Sequence, residues 1–165
     1  MKIKTLLLVL STLPLLIYGQ SVEPNCVSCL NNQIDTKKGA SAIGQENKSL
    51  GINSFAAGYL NEAIGDYSVA MPFLAKANGH RSLSFGYYAV ADGAGSLALG
   101  TYAGTGANGT LSIAIGSRVS SDMTNSMVLG FGHASAIFIN DVEKSLMVGF
   151  NSNKPTFFVG PAFRG

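Results

Sequence analysis

The chain has 165 residues, of which only 12% are charged, with 11 Lys and Arg against 9 Asp and Glu, two histidines and no tryptophan. Neither a basic cluster nor an acidic tail interrupts it. That excludes the electrostatic footprint of a nucleic-acid binder and polybasic attraction to a membrane.

Lys2 and Lys4 precede an apolar run from Leu6 to Ile17, broken at Ser11, Thr12 and Pro14 and followed by Tyr18-Gly19-Gln20-Ser21. Residues 1–19 therefore read as a secretory signal peptide cleaved near Gly19. The run is too short and too interrupted for a spanning helix, which needs about 20 apolar residues. Cleavage removes Lys2 and Lys4, so 9 basic residues balance the 9 acidic ones in the mature chain.

Residues 20–37 form an N-terminal segment holding the only cysteines, Cys26 and Cys29, as Cys-x-x-Cys. In an exported chain the plain reading is a structural disulfide, within this short loop or between chains. A redox centre would need a helix N-terminus on a βαβ unit, and nothing of that kind follows. A lipoprotein cysteine would need leucine and small residues where Glu23-Pro24-Asn25 stands. One ligand pair without a second is weak support for zinc.

Residues 38–130 carry the organising pattern. Glycine recurs every seventh residue at Gly44, Gly51, Gly58 and Gly65, then at Gly79, Gly86, Gly93 and Gly100, with Pro72 in the one vacant place. Two positions before each comes a small residue, as in Ala42, Ser49, Ala56 and Ala63. A beat this regular marks a repeat architecture. The heptads alternate between two kinds, so the full repeat is a pair of heptads. One kind reads Ser, large apolar, small, large apolar, Gly, as in Ser82-Leu83-Ser84-Phe85-Gly86. The other places charge or amide between its small residues, as in Glu62 and Ile64 or Lys76 and Asn78.

Side chains alternate faces along a strand, so each heptad is expected to be a five-residue strand and a two-residue corner. The small-residue faces of the two kinds should then meet at unusually close range. On the opposite side the polar kind faces solvent, whereas the apolar kind presents Phe55, Val69, Met71, Leu83, Phe85, Leu97 and Leu99 as one stripe, continued by Ile113, Ile115, Met127 and Leu129. A stripe of that size marks an interface, and the expected fold is an all-β parallel β-roll that associates with itself through it. A coiled coil fits poorly, because a glycine every second turn costs about 1 kcal/mol each in a helix and the apolar residues fall two apart instead of three or four.

The repeat resembles the YadA-like head of trimeric autotransporter adhesins, whose signature is close to Asn-Ser-Val-Ala-Ile-Gly. Asn53-Ser54-Phe55-Ala56-Ala57-Gly58, Thr110-Leu111-Ser112-Ile113-Ala114-Ile115-Gly116 and Asn125-Ser126-Met127-Val128-Leu129-Gly130 carry the likeness. It implies a left-handed parallel β-roll or solenoid with 14-residue coils, assembled as a homotrimer with the large signature side chains turned to the trimer axis. It also implies a cofactor-free, non-enzymatic adhesin, secreted or held at the outer-membrane surface of a Gram-negative-type bacterium, whose partners are its own copies and host or environmental macromolecules. A structural shaft or spacer of a surface or tail-fibre-like assembly is the alternative.

The departures from the repeat predict where the surface becomes individual. The ring of Pro72 locks φ in the negative region, so absence of strain, not a left-handed backbone, is expected to be the requirement at that corner. Gly100 and Gly116 lie 16 apart, placing a two-residue insertion between Thr101 and Asn108, and Gly130 and Gly149 lie 19 apart, with the excess in Phe131 to Val142. Residues 131–165 read as two further strands, around Met147 and Phe158, that either cap the last coil or begin a fibre connector; no stalk or barrel anchor follows within the sequence.

No catalytic grouping is expected. His80 and His133 are isolated, and the six-residue beat of a hexapeptide-repeat acyltransferase fits none of the glycine intervals. Gly104-x-Gly106 lacks the third glycine, the lysine and the strand-to-helix setting of a phosphate loop. The candidate ligand surface consists of outward residues of the polar strands and nearby corners: Lys48, Glu62, Lys76, Asn78, Arg81, Tyr87, Tyr88 and Asp92.

Overall fold

The computed structural model describes residues 29–101, 106–151 and 153–161. The expected signal peptide and Cys26 lie outside the described residues, and of Cys29 only the backbone is described.

Strands and corners alternate along the chain. The first half contains β1 (Cys29–Leu30), β2 (Gln33–Ile34), β3 (Ser41–Gln45), β4 (Lys48–Ser49), β5 (Phe55–Tyr59), β6 (Glu62–Ala63), β7 (Val69–Phe73), β8 (Lys76–Ala77) and β9 (Leu83–Tyr87). The second contains β10 (Val90–Ala91), β11 (Leu97–Thr101), β12 (Gly106–Ala107), β13 (Ile113–Ser117), β14 (Val119–Ser121), β15 (Met127–Phe131), β16 (Phe138–Asn140), β17 (Leu146–Phe150) and β18 (Phe157–Val159). Odd-numbered strands stack parallel into a 10-stranded sheet closed by β18, and even-numbered strands from β2 to β16 form an 8-stranded sheet. The chain is thus an all-β parallel solenoid, with Phe55 beside Val69 and Val69 beside Leu83, so that each coil consumes one pair of heptads.

The two kinds of heptad do not make strands of equal length. Apolar heptads give the expected five-residue strands, but polar ones give only two residues in β4, β6, β8 and β10 before the chain turns. The turn consumes the rest: the backbone N–H of each following serine donates to the carbonyl three residues before it, as Ser68 to Gly65 O at 3.2 Å and Ser96 to Gly93 O at 3.1 Å, and at Ser54 and Ser82 the hydroxyl also donates to that carbonyl, at 2.9 and 2.7 Å.

Between the sheets lies the expected layer of small side chains. Ala42, Ala56, Ala70, Ser84, Ala98 and Ala114 from one sheet and Ser49, Ala63, Ala77, Ala91 and Ala107 from the other are all fully buried. The layer thickens toward the end of the roll, where Val119, Val128, Phe138 and Met147 form a larger core that also receives Phe158. A second internal device sits at one corner. Buried Asn47 donates through Nδ2 to Ile43 O and Gly58 O, and its Oδ1 accepts from the backbone N–H of Asn61 at 3.0 Å. Asn61 repeats the pattern one coil on, accepting from Ala75 N–H at 2.9 Å.

The glycine beat has two causes. In the apolar strands it includes left-handed backbone: Gly86 has φ +147°, and a Cβ there would overlap Gly100 O of the next coil. In the polar corners it is close approach alone, since a Cβ on Gly65 would overlap Gly79 O. The strain-free condition inferred at Pro72, whose peptide bond with Met71 is cis, therefore does not extend along its own row, where Gly44, Gly58, Gly116 and Gly130 also have φ between +104° and +144°.

Register locates both insertions. Tyr87 pairs with Thr101, but Val90 pairs with Gly106, so the two extra residues fall between Thr101 and Gly106. Ser117 pairs with Phe131 and Val119 with Phe138, which confines the second excess to the loop before β16, closed by a bridge between His133 and Ala136.

Candidate functional site: an apolar face and a polar face

Alternation along the five-residue strands sends the first, third and fifth side chains out of the 10-stranded sheet, and parallel pairing stacks them in three columns. The first runs Phe55, Val69, Leu83, Leu97, Ile113, Met127 and Leu146. The second runs Met71, Phe85, Leu99, Ile115, Leu129 and Val148. All eleven stripe residues expected from the sequence thus lie on one face and in two columns; Leu83, Phe85, Leu99 and Leu129 are 37–43% exposed, and the others are half-buried by their neighbours.

The third column went unread in the sequence. Tyr59, Phe73 and Tyr87 stack in register with ring centroids 5.3 and 5.2 Å apart, and after Thr101 and Ser117 the column resumes with Phe131 and Phe150 at 5.9 Å. Its positions follow the glycine of each signature, and their recurrence once in every pair of heptads was the available signal. Tyr87 consequently moves from the expected ligand surface to the apolar sheet, where Tyr88 at the adjoining corner meets it edge-on at 4.7 Å. From Ser41 to Val159 the outward positions of this sheet include no charged residue.

The opposite sheet is polar over its first coils, as expected, with its charges engaged with one another, and the same outward column later takes up Val90 and Ile139. Glu62 bridges Lys48 at 3.0 Å and Lys76 at 3.2 Å, three successive rungs of one column. Partial burial alone would raise the Glu62 carboxyl, but the bonds and positive charges of Lys48 and Lys76 outweigh it and hold the group below its ordinary value. Beside this column Asn78 donates to Asp92 at 2.7 Å, and Asn108 repeats the arrangement with Asp122 at 2.6 Å.

The expected ligand residues are therefore not one cluster. Lys48, Glu62 and Lys76 line the polar sheet, with Asn78 and Asp92 just beyond it. Arg81 stands at the corner leading into β9 and Tyr88 at the corner leaving it, on opposite edges of the coil.

Family comparison finds the YadA head domain repeat over residues 36–61, 49–71 and 77–103. No curated protein matches the chain. The matched segments run from β3 to β11 with a gap at residues 72–76, through the coils in which the glycine beat, the small-residue layer and the outward apolar columns coincide. The coils over residues 36–71 and 77–103 are accordingly similar to the YadA head domain repeat.

Proposed function

We propose that this protein is the non-enzymatic head module of a trimeric adhesin, exported to the cell surface or beyond it, and that three copies associate through the outer face of the 10-stranded sheet. The observation that carries this reading is the uncharged, three-column apolar face itself. One column of large side chains could be shed singly onto a soluble surface, but parallel columns running the length of the roll need cover. Burying a large apolar side chain contributes about 1.5–3 kcal/mol, so a face of this extent favours a permanent association. Trimerisation also suits adhesion, since linked copies of a weak site raise apparent affinity without new contacts.

Light scattering of the purified full chain tests the assembly and is expected to return three times the monomer mass; a monomer would overturn it. Binding of that oligomer to surfaces coated with extracellular matrix, against a variant with its polar face scrambled, tests the adhesive role, and equal signals would count against it. The paired charges of the polar sheet favour one other reading, a structural shaft or spacer, because groups bonded to each other from coil to coil offer little to a ligand. A stable trimer that adheres to none of the coated surfaces would point to that role.

A further inference from the structure

We infer that the antiparallel end strand β18 belongs to the self-association face, so that a second copy of this chain seats on Phe157 and Val159 as it does on the columns of the coils. The inference rests on the association proposed above and extends it to residues outside the repeat.

Register carries it first. β18 runs antiparallel to β17, with Val159 beside Leu146, Phe158 beside Met147 and Phe157 beside Val148. Met147 points into the core and Phe158 packs against that core. Alternation therefore turns Phe157 and Val159 outward, where they extend the first two columns by one rung, and they are 53% and 54% exposed.

The second support is the chemistry of an end strand. An apolar strand left at the edge of a sheet is a liability that proteins blunt with charge or with cover. β18 fills the terminal position but presents phenylalanine and valine on the outer side of its sheet. An end strand of that composition is stable in water when its face is covered, and the continuity of the uncharged columns on either side of Leu146 and Val148 makes another copy of the same face the fitting cover. Among the described residues, the charges near this end, Asp141, Glu143, Lys144 and Lys154, fall in connecting segments and not on the outward rungs.

The test compares the full chain with a Phe157→Asp, Val159→Asp double variant in a dilution series followed by light scattering. A retained β-sheet circular dichroism spectrum with the dissociation midpoint raised at least about tenfold is the expected result. An oligomeric parent with an unshifted variant would overturn the inference and leave the association of the coils standing. A monomeric parent would overturn the association itself. Should the double variant fail to fold, a photo-crosslinking amino acid at position 157 of the otherwise native chain decides: links between chains support the inference, and links within one chain only overturn it.

Discussion

Most of the described corners of the coil contain a residue with left-handed backbone, and few of these are glycine. Leu60, Leu74, Tyr88 and Arg118 on one edge and Tyr67, Arg81, Leu111 and Lys144 on the other have φ between +52° and +58°. For L-residues this conformation costs roughly 1–2 kcal/mol, least for asparagine, which already stands at Asn53 and Asn125. Leu111 is 58% exposed, so Leu111→Asn gives up little burial and relieves the strain; chemical denaturation should show a gain of about 0.5–1 kcal/mol. At the same scale, Glu62→Gln removes the charge that Lys48 and Lys76 share. The folded carboxyl lies below its ordinary value of 4.5, so its contribution is present above the unfolded pKa and lost as pH falls through the folded one. At neutral pH the variant should be less stable by up to about 1 kcal/mol, the scale of exposed pairs. Below the folded pKa the two unfolding curves should converge, and urea titrations across the acid range check this.

Strands show which patterns can be read without coordinates. The apolar heptads were legible because small and large residues alternate over five positions and because Gly86 and its equivalents mark every coil. Even strands were not, since their length is set by a turn that Ser54 and Ser82 close through carbonyl bonds, and a heptad containing serine does not say whether the hydroxyl faces a turn or a partner sheet. The Tyr59, Phe73 and Tyr87 column was missed for a related reason: each follows a glycine, or the proline in its place, a position that reads as a corner when strands are taken to end there instead of one residue beyond. Asn47 and Asn61 look like surface amides in sequence, and only the fold brings them onto the carbonyls they satisfy. The close spacing of the sheets, by contrast, followed directly from Ala42, Ala56 and their repeats, and it leads to a sharp expectation. Ala98 is fully buried between Ser84 and Ala114 in its own sheet, so Ala98→Leu must push the sheets apart and should cost about 1–3 kcal/mol or more. Leu99→Ala, one residue away but on the outer face, opens no gap between the sheets and should cost an isolated subunit less than Ala98→Leu; thermal unfolding at low concentration separates the two.

For the whole molecule the decisive asymmetry lies between its faces. The 8-stranded sheet spends its charges on neighbouring coils, whereas the 10-stranded sheet presents apolar columns that no part of the described chain covers. Substitutions of opposite sense on the two faces therefore should not be equivalent. Leu97→Lys sets an ammonium in the first column, flanked in register by Leu83 and Ile113. An isolated subunit tolerates it, because the side chain can extend into water. An assembled one cannot, since an unpaired charge in an apolar interface is costly enough to shift the equilibrium by orders of magnitude. Lys76→Leu makes the reverse change on the polar face; it removes one of two cations from Glu62 and should alter assembly little. Light scattering of both variants at matched concentration should then find dissociation for the first and the parent mass for the second. An undisturbed oligomer in Leu97→Lys would place the association surface elsewhere on the roll, and a dissociated Lys76→Leu would move it to the polar sheet.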